Sequence, residues 1–163
     1  MMGDPEFALV RLHEDHAPAL LEFEVANRAW FARSIPDRGD AYFAEFDARH
    51  AALLAEQATG LCHFHVLVDE AGAIVGRFNL VDVAEGGAEL GFRMAERSTG
   101  RGLAKLGVRR ICDAARDEYG LQWLNARARP WNTGSLGVLR STGFRVVRAD
   151  DDFVQHVREL RAG

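Results

Sequence analysis

The sequence predicts a single mixed α/β domain, and three observations carry the prediction. Short segments with strand-like alternation are interleaved with segments of helical spacing. Three of the strands follow one another with only tight turns between them, as in an antiparallel meander. A glycine-bearing loop near the middle of the chain joins the last of these strands to a helix.

In order, Phe7 to Leu12 is a short apolar run that reads as a strand. Asp15 to Ala32 places Leu20, Leu21, Phe23, Ala26, Trp30 and Phe31 at mostly helical spacing, and the stretch Ser34-Ile-Pro-Asp-Arg-Gly39 ends that helix. A second helix runs from Asp40, a good cap, to about Ala58, with Gly60 as its stop. Cys62–Val68, Ala73–Val83 and Ala88–Met94 form the meander. Leu103 to Glu118 is a helix with Leu103, Leu106, Ile111, Ala114 and Ala115 inward. Gln122–Ala128 is a strand, Asn132–Ser141 a short helix, and Phe144–Ala149 and Phe153–Leu160 are strands joined by an Asp150-Asp-Asp152 turn. Residues 1–6 read as a leader or expression scar, which leaves residues 7–163 as the domain.

Composition narrows the function classes. The 163 residues are 48% hydrophobic and 27% charged, enough for one domain with a core and unlike a disordered chain. Twenty Lys and Arg against twenty-four Asp and Glu give a formal charge of -4, so no global basic field points to nucleic acid or an anionic membrane as a partner. Cys62 and Cys112 form neither a disulfide framework nor a zinc ribbon, which suits a reducing cytoplasm. No apolar run approaches the roughly 20 residues of a membrane span. His63 and His65 share a strand face but have no third ligand at suitable spacing, so no metal is expected.

The most informative segment is Glu89-Leu-Gly-Phe-Arg-Met-Ala-Glu-Arg-Ser-Thr-Gly-Arg-Gly-Leu-Ala104. Free N–H groups at a helix start converge on one point and the helix dipole adds positive potential, so a strand–loop–helix of this kind binds anions. Gly100 and Gly102 admit positive φ and keep side chains out of an approaching phosphate's way; Arg97 and Arg101 add charge. The competing reading is an ordinary turn that uses glycine for its conformation. A P-loop is excluded because GxxxxGK[ST] is absent, and a Rossmann GxGxxG because Lys105 stands where its third glycine belongs.

Here the chain resembles the GNAT superfamily of N-acetyltransferases. Arg97-x-x-Gly100-x-Gly102 is similar to that family's Q/R-x-x-G-x-G/A signature, and the order of elements from Phe7 onward agrees along nearly the whole chain. Asn132-x-x-Ser135-x-x-Val138-Leu139-x-x-x-Gly143-Phe144 resembles the branch that acetylates ribosomal-protein N-termini, the RimJ/RimL type, as does Asn27-Arg-Ala-Trp30-Phe31 more weakly. The resemblance implies a mostly antiparallel sheet flanked by helices and an acetyl-CoA cosubstrate without a metal. It implies that Arg97, Ser98, Thr99, Gly100, Arg101, Gly102 and Leu103 hold the pyrophosphate. The strand at Phe92, Arg93 and Met94, together with Asn132, would contact the pantetheine arm.

Direct acetyl transfer needs a neutral amine, a place for negative charge on the carbonyl oxygen, and a proton for the departing thiolate. The resemblance makes Glu89 the group that takes the amine proton; otherwise it is a solvent-facing strand residue. Tyr42 and Tyr119 are the only tyrosines and neither lies where the family places its acid, so Ser135 is the candidate, with a helix-stabilising role as the alternative. Asn132 reads from physics alone as a helix N-cap. Trp30, Phe31, Trp123 and Trp131 are expected mostly in the core, with Trp30, Phe31 and the Ser34–Arg38 turn as candidates for an acceptor groove. Glu22 and Glu24 read as a solvated helix face. The expected function is N-acetylation of a primary amine, first a protein or peptide α-amine. The alternatives are a small-molecule amine such as a polyamine or antibiotic, or a non-catalytic acetyl-CoA sensor. A homodimer is left open.

Overall fold

Alternating strands build a seven-stranded sheet in the computed structural model, which describes residues 6–160. The proposed leader falls almost wholly on residues 1–5, outside the described residues. The strands are β1 (Ala8–Arg11), β2 (His63–Val68), β3 (Ile74–Ala84), β4 (Gly87–Met94), β5 (Trp123–Ala128), β6 (Arg145–Ala149) and β7 (Val154–Glu159), in the order β1-β2-β3-β4-β5-β7-β6. The β2–β3–β4 meander is antiparallel, and β4–β5 is the one parallel pair among the described residues. Parallel pairing needs a crossover, which α5 (Leu103–Asp117) supplies.

Each face of the sheet carries its own core. On one side Phe78, Leu80, Leu90 and Leu124 pack against Val108 and Ile111 of α5 and Leu139 of α6 (Thr133–Ser141). Gly107 lets α5 approach the sheet, since a Cβ there would stand 2.1 Å from the Phe78 ring. On the other side Phe64 and Val66 pack against Leu20, Phe23, Phe31 and Phe46 of the first helices.

Those helices are more broken than their periodicity suggests. Instead of one helix from Asp15 to Ala32 there are α1 (Ala17–Ala26) and α2 (Arg28–Ala32), and instead of one from Asp40 there are α3 (Asp40–Ala44) and α4 (Phe46–Ala58). Asn27 makes the first break. Its Nδ2 donates to the Phe23 carbonyl at 2.9 Å, and its Oδ1 accepts from Glu96 N–H at 3.0 Å in the loop after β4. A short amide side chain that bonds to backbone competes with the helix ladder, and here it ties the helical pair to the central loop. Among the described residues no helix is long and apolar enough to cross a membrane.

Candidate active site

The parallel pair gives the site its shape. β4 and β5 are in register only from Gly87–Trp123 to Glu89–Asn125; beyond that β4 continues to Met94 beside β3 while β5 continues to Ala128 beside β7. The two strands part into a wedge, so backbone N–H and C=O groups of β4 beyond Glu89 have no strand partner on that side. Unpaired strand edges of this kind recruit an extended ligand with its own amides. A cleft of about 500 Å³ occupies this region.

At one end of the cleft lie Ser98, Thr99, Gly100, Gly102 and Leu103. Gly100 and Gly102 have φ of +75° and +76°, and, chain neighbours apart, no described residue stands within 4 Å of where a Cβ would be on either. Gly102 is the N-cap of α5 and no side chain among the described residues caps that end; the first amides, at Leu103, Ala104 and Lys105, lack intrahelical acceptors, and these residues line the cleft. Ser98 is 1% exposed and its Oγ has no hydrogen-bond partner among the described residues. A buried orphan hydroxyl, open glycines and free helix amides fit a phosphate-bearing ligand. The two signature arginines stand apart from this lining. Arg97 is exposed in a 3₁₀ turn, and the Arg101 guanidinium lies 5.7 Å from the Phe7 ring centroid.

Phe92, Arg93 and Met94 line the middle of the cleft, with Asn132, Ser135 and Val138 of α6 opposite. Asn132 is the cap: its Oδ1 accepts from Ser135 N–H at 3.2 Å. The bond uses the backbone of Ser135, so its hydroxyl is spare for the cleft.

Trp30, Phe31, Ser34 and Ile35 line the other end. The turn that carries Ser34 and Ile35 is pinned by Arg28, whose guanidinium grips Asp37 at 2.8 Å and Asp40 at 2.8 Å. The hydrogen bonds from Arg28 hold the Asp37 carboxyl down at about 2. Beneath this end is the main departure from the sequence reading. Glu24 is 1% exposed, and its carboxylate accepts from Arg77 at 2.7 Å, Arg93 at 2.8 Å and Arg38 at 2.9 Å. The expected solvated face is true of Glu22 alone. The missed signal was available, because Glu24 continues the inward stripe Leu20, Phe23, Asn27, Phe31 at helical spacing.

Glu89 does not line the cleft. It is the last β4 residue in register with β5, at the apex of the wedge, and its carboxylate lies 3.2 Å from Arg127. Alternation puts it on the same sheet face as Arg93, opposite to Ala88 and Leu90, which pack on the α5 side. Trp131, expected in the core, is 62% exposed because it precedes the cap of α6. His63 and His65 do share a face, where the His63 ring stacks on Tyr119 at 3.6 Å and His65 Nε2 meets the Tyr119 hydroxyl at 2.8 Å. Burial, with Arg11 nearby, pushes the His65 pKa down to about 4. Among the described residues no cluster of three or more His, Cys, Asp or Glu is arranged to hold a metal.

The fold matches solved acetyltransferases. Ribosomal-protein-S5-alanine acetyltransferase from Vibrio fischeri superposes with a TM-score of 0.86 at 18% identity, over 95% of this chain and 93% of that one. Spermidine N-acetyltransferase from Vibrio cholerae, in complex with CoA and spermine, gives 0.76 at 15% identity over 96% and 97%. An uncharacterized N-acetyltransferase p20 of Bacillus licheniformis is 30% identical over 84 residues, so this chain spans about half of that relative's length (47%). The family model described as the acetyltransferase (GNAT) domain matches residues 6–145, from before β1 to the start of β6. By that match over most of its length, the chain belongs to the acetyltransferase (GNAT) domain family.

Proposed function

We propose that this protein transfers an acetyl group from acetyl-CoA to a primary amine, and that the amine is the N-terminus of a protein or peptide. The observation that carries the proposal is the continuity of the cleft, from a phosphate-fitting loop at α5, along the unpaired edge of β4, to an aromatic end at Trp30 and Phe31. Bound acetyl-CoA supplies an activated thioester. The Gly100–Leu103 backbone binds its phosphates, and the β4 edge aligns its arm with the aromatic end. An α-amine has a reference pKa of about 7.7 to 8.0 against about 10.4 for lysine, so more of it is neutral near pH 7. A small polyamine acceptor is the second reading, favoured by the spermine held in one structural neighbour. The test is thiol release from acetyl-CoA with peptides, polyamines and other small amines: release with none of them, by a protein that binds acetyl-CoA, makes it a sensor.

Two substitutions test the proton-handling groups. Glu89 at the wedge apex takes the amine proton through water, so Glu89→Gln is expected to lower kcat by about 100-fold on the acid side of the profile and little above about pH 9. Acetyl-CoA affinity stays the same. Wild-type rates across this pH range would leave Glu89 as nothing more than the partner of Arg127.

Ser135 donates to the departing sulfur, and Ser135→Ala is expected to lower kcat by about 10- to 100-fold. Because Asn132 caps α6 through the Ser135 backbone, the melting temperature should hold. Asn132→Ala, by contrast, should destabilise the protein by about 1 kcal/mol. An unchanged kcat in Ser135→Ala assigns protonation of the sulfur to water.

A further inference from the structure

We infer that the acceptor carries a carboxylate close to its amine, and that Arg93 receives it. This rests on reading the cleft as the site of acetyl transfer and narrows its acceptor class.

Three guanidinium groups meet one carboxylate at Glu24, and none of Arg38, Arg77 and Arg93 pairs with a second acid among the described residues. The cluster is therefore rich in positive charge, in a place where little water screens it: the side chains of Arg77 and Arg93 are 4% and 16% exposed. Of the three, Arg93 lines the cleft. Its guanidinium lies over the Phe31 ring at 4.4 Å, and its Nη2 is committed to Glu24 at 2.8 Å. Its Nε and Nη1 have no hydrogen-bond partner among the described residues. The Phe31 ring against the guanidinium and Glu24 at one corner restrain the side chain, so it has little rotamer freedom to lose on binding. That is the arrangement by which arginine receives a carboxylate.

Position excludes the phosphate end of the cleft. Arg93 projects from β4 toward α1 and α2, the face opposite to α5, and so toward the end lined by Trp30 and Ser34. The same charge disfavours a protonated amine beside it, which favours the reactive neutral form. A polycation meets repulsion there. An anionic group on the acceptor offsets the charge and docks the amine.

Two sources of the carboxylate are separated by matched pairs of probes: a peptide beginning Ser-Glu against Ser-Gln, and free serine against serinamide, with spermidine as the polycation. Each is titrated calorimetrically into the CoA-saturated protein, then assayed for thiol release. The carboxylate member of one pair is expected to bind and react about 10- to 100-fold better than its neutral match, as for a hydrogen bond to a charged group. The pair that shows it identifies the source, and spermidine ranks last. Arg93→Met should bring the preferred pair to parity, with urea unfolding as the check on its fold. Equal binding within both pairs, or spermidine first, overturns the inference and leaves acetyl transfer standing. Absence of thiol release with every probe overturns the transferase reading, and the calorimetric pairs still decide on the carboxylate.

Discussion

Gly102→Val is expected to abolish acetyl-CoA binding while the protein still folds. The φ of +76° at Gly102 is one that a β-branched residue rarely adopts, and forcing it there costs about 1–2 kcal/mol. Apart from its chain neighbours, no described residue comes within 4 Å of the new Cβ, so backbone strain is the main folding penalty. The ligand meets the added side chain directly, at the residue that opens α5 and lines the cleft. In the wild type, acetyl-CoA at about 100 times its Kd should add roughly 2.7 kcal/mol, a rise in melting temperature on the order of 5 to 10 °C for a domain of this size. The variant should show none. Gly102→Ala keeps the left-handed strain with less bulk and is expected to bind at an intermediate level. Undiminished calorimetric binding by Gly102→Val would take the loop out of the site.

Glu24→Ala should destabilise the fold by about 3–5 kcal/mol, because it strands three guanidinium groups that share one buried acceptor. A comparison sets the scale. Deleting Glu45, which meets Arg49 at an exposed helix position, should cost about 0.5 kcal/mol or less. Urea unfolding of the two variants side by side measures the difference through the shift in midpoint. A Glu24→Ala loss under about 1 kcal/mol would mean that water reaches the cluster and that burial does not set its energetics.

Much of the fold was legible because strand alternation and helical spacing are local. The meander, the crossover helix and the final hairpin lie where alternation and turn residues put them. The breaks at Asn27 and Glu45 did not show, because apolar spacing continues through them; Asn27 breaks the helix by bonding to Phe23 and to a backbone amide 69 residues away. Trp131 misled for a related reason. Its bulk suggests burial, but its place just before a helix cap turns it outward.

By itself the sequence located the loop, since glycine at two positions before an apolar helix permits the positive φ that both of them adopt. It also identified Asn132 as the cap, because capping depends on neighbours along the chain, but left Ser135 between an acid and a helix-stabilising role. Only the tertiary structure decided that β5 runs parallel to β4 and then leaves it, which opens the cleft. It alone decided which charges meet Glu24, for Arg77 and Arg93 are 53 and 69 residues away and reach it only through the register of β3 against β4. Helical spacing puts Glu24 on the inward face, but nothing local in the sequence names the charges that meet it there. That depends on which surfaces close over it, and those are fixed by packing across the whole chain.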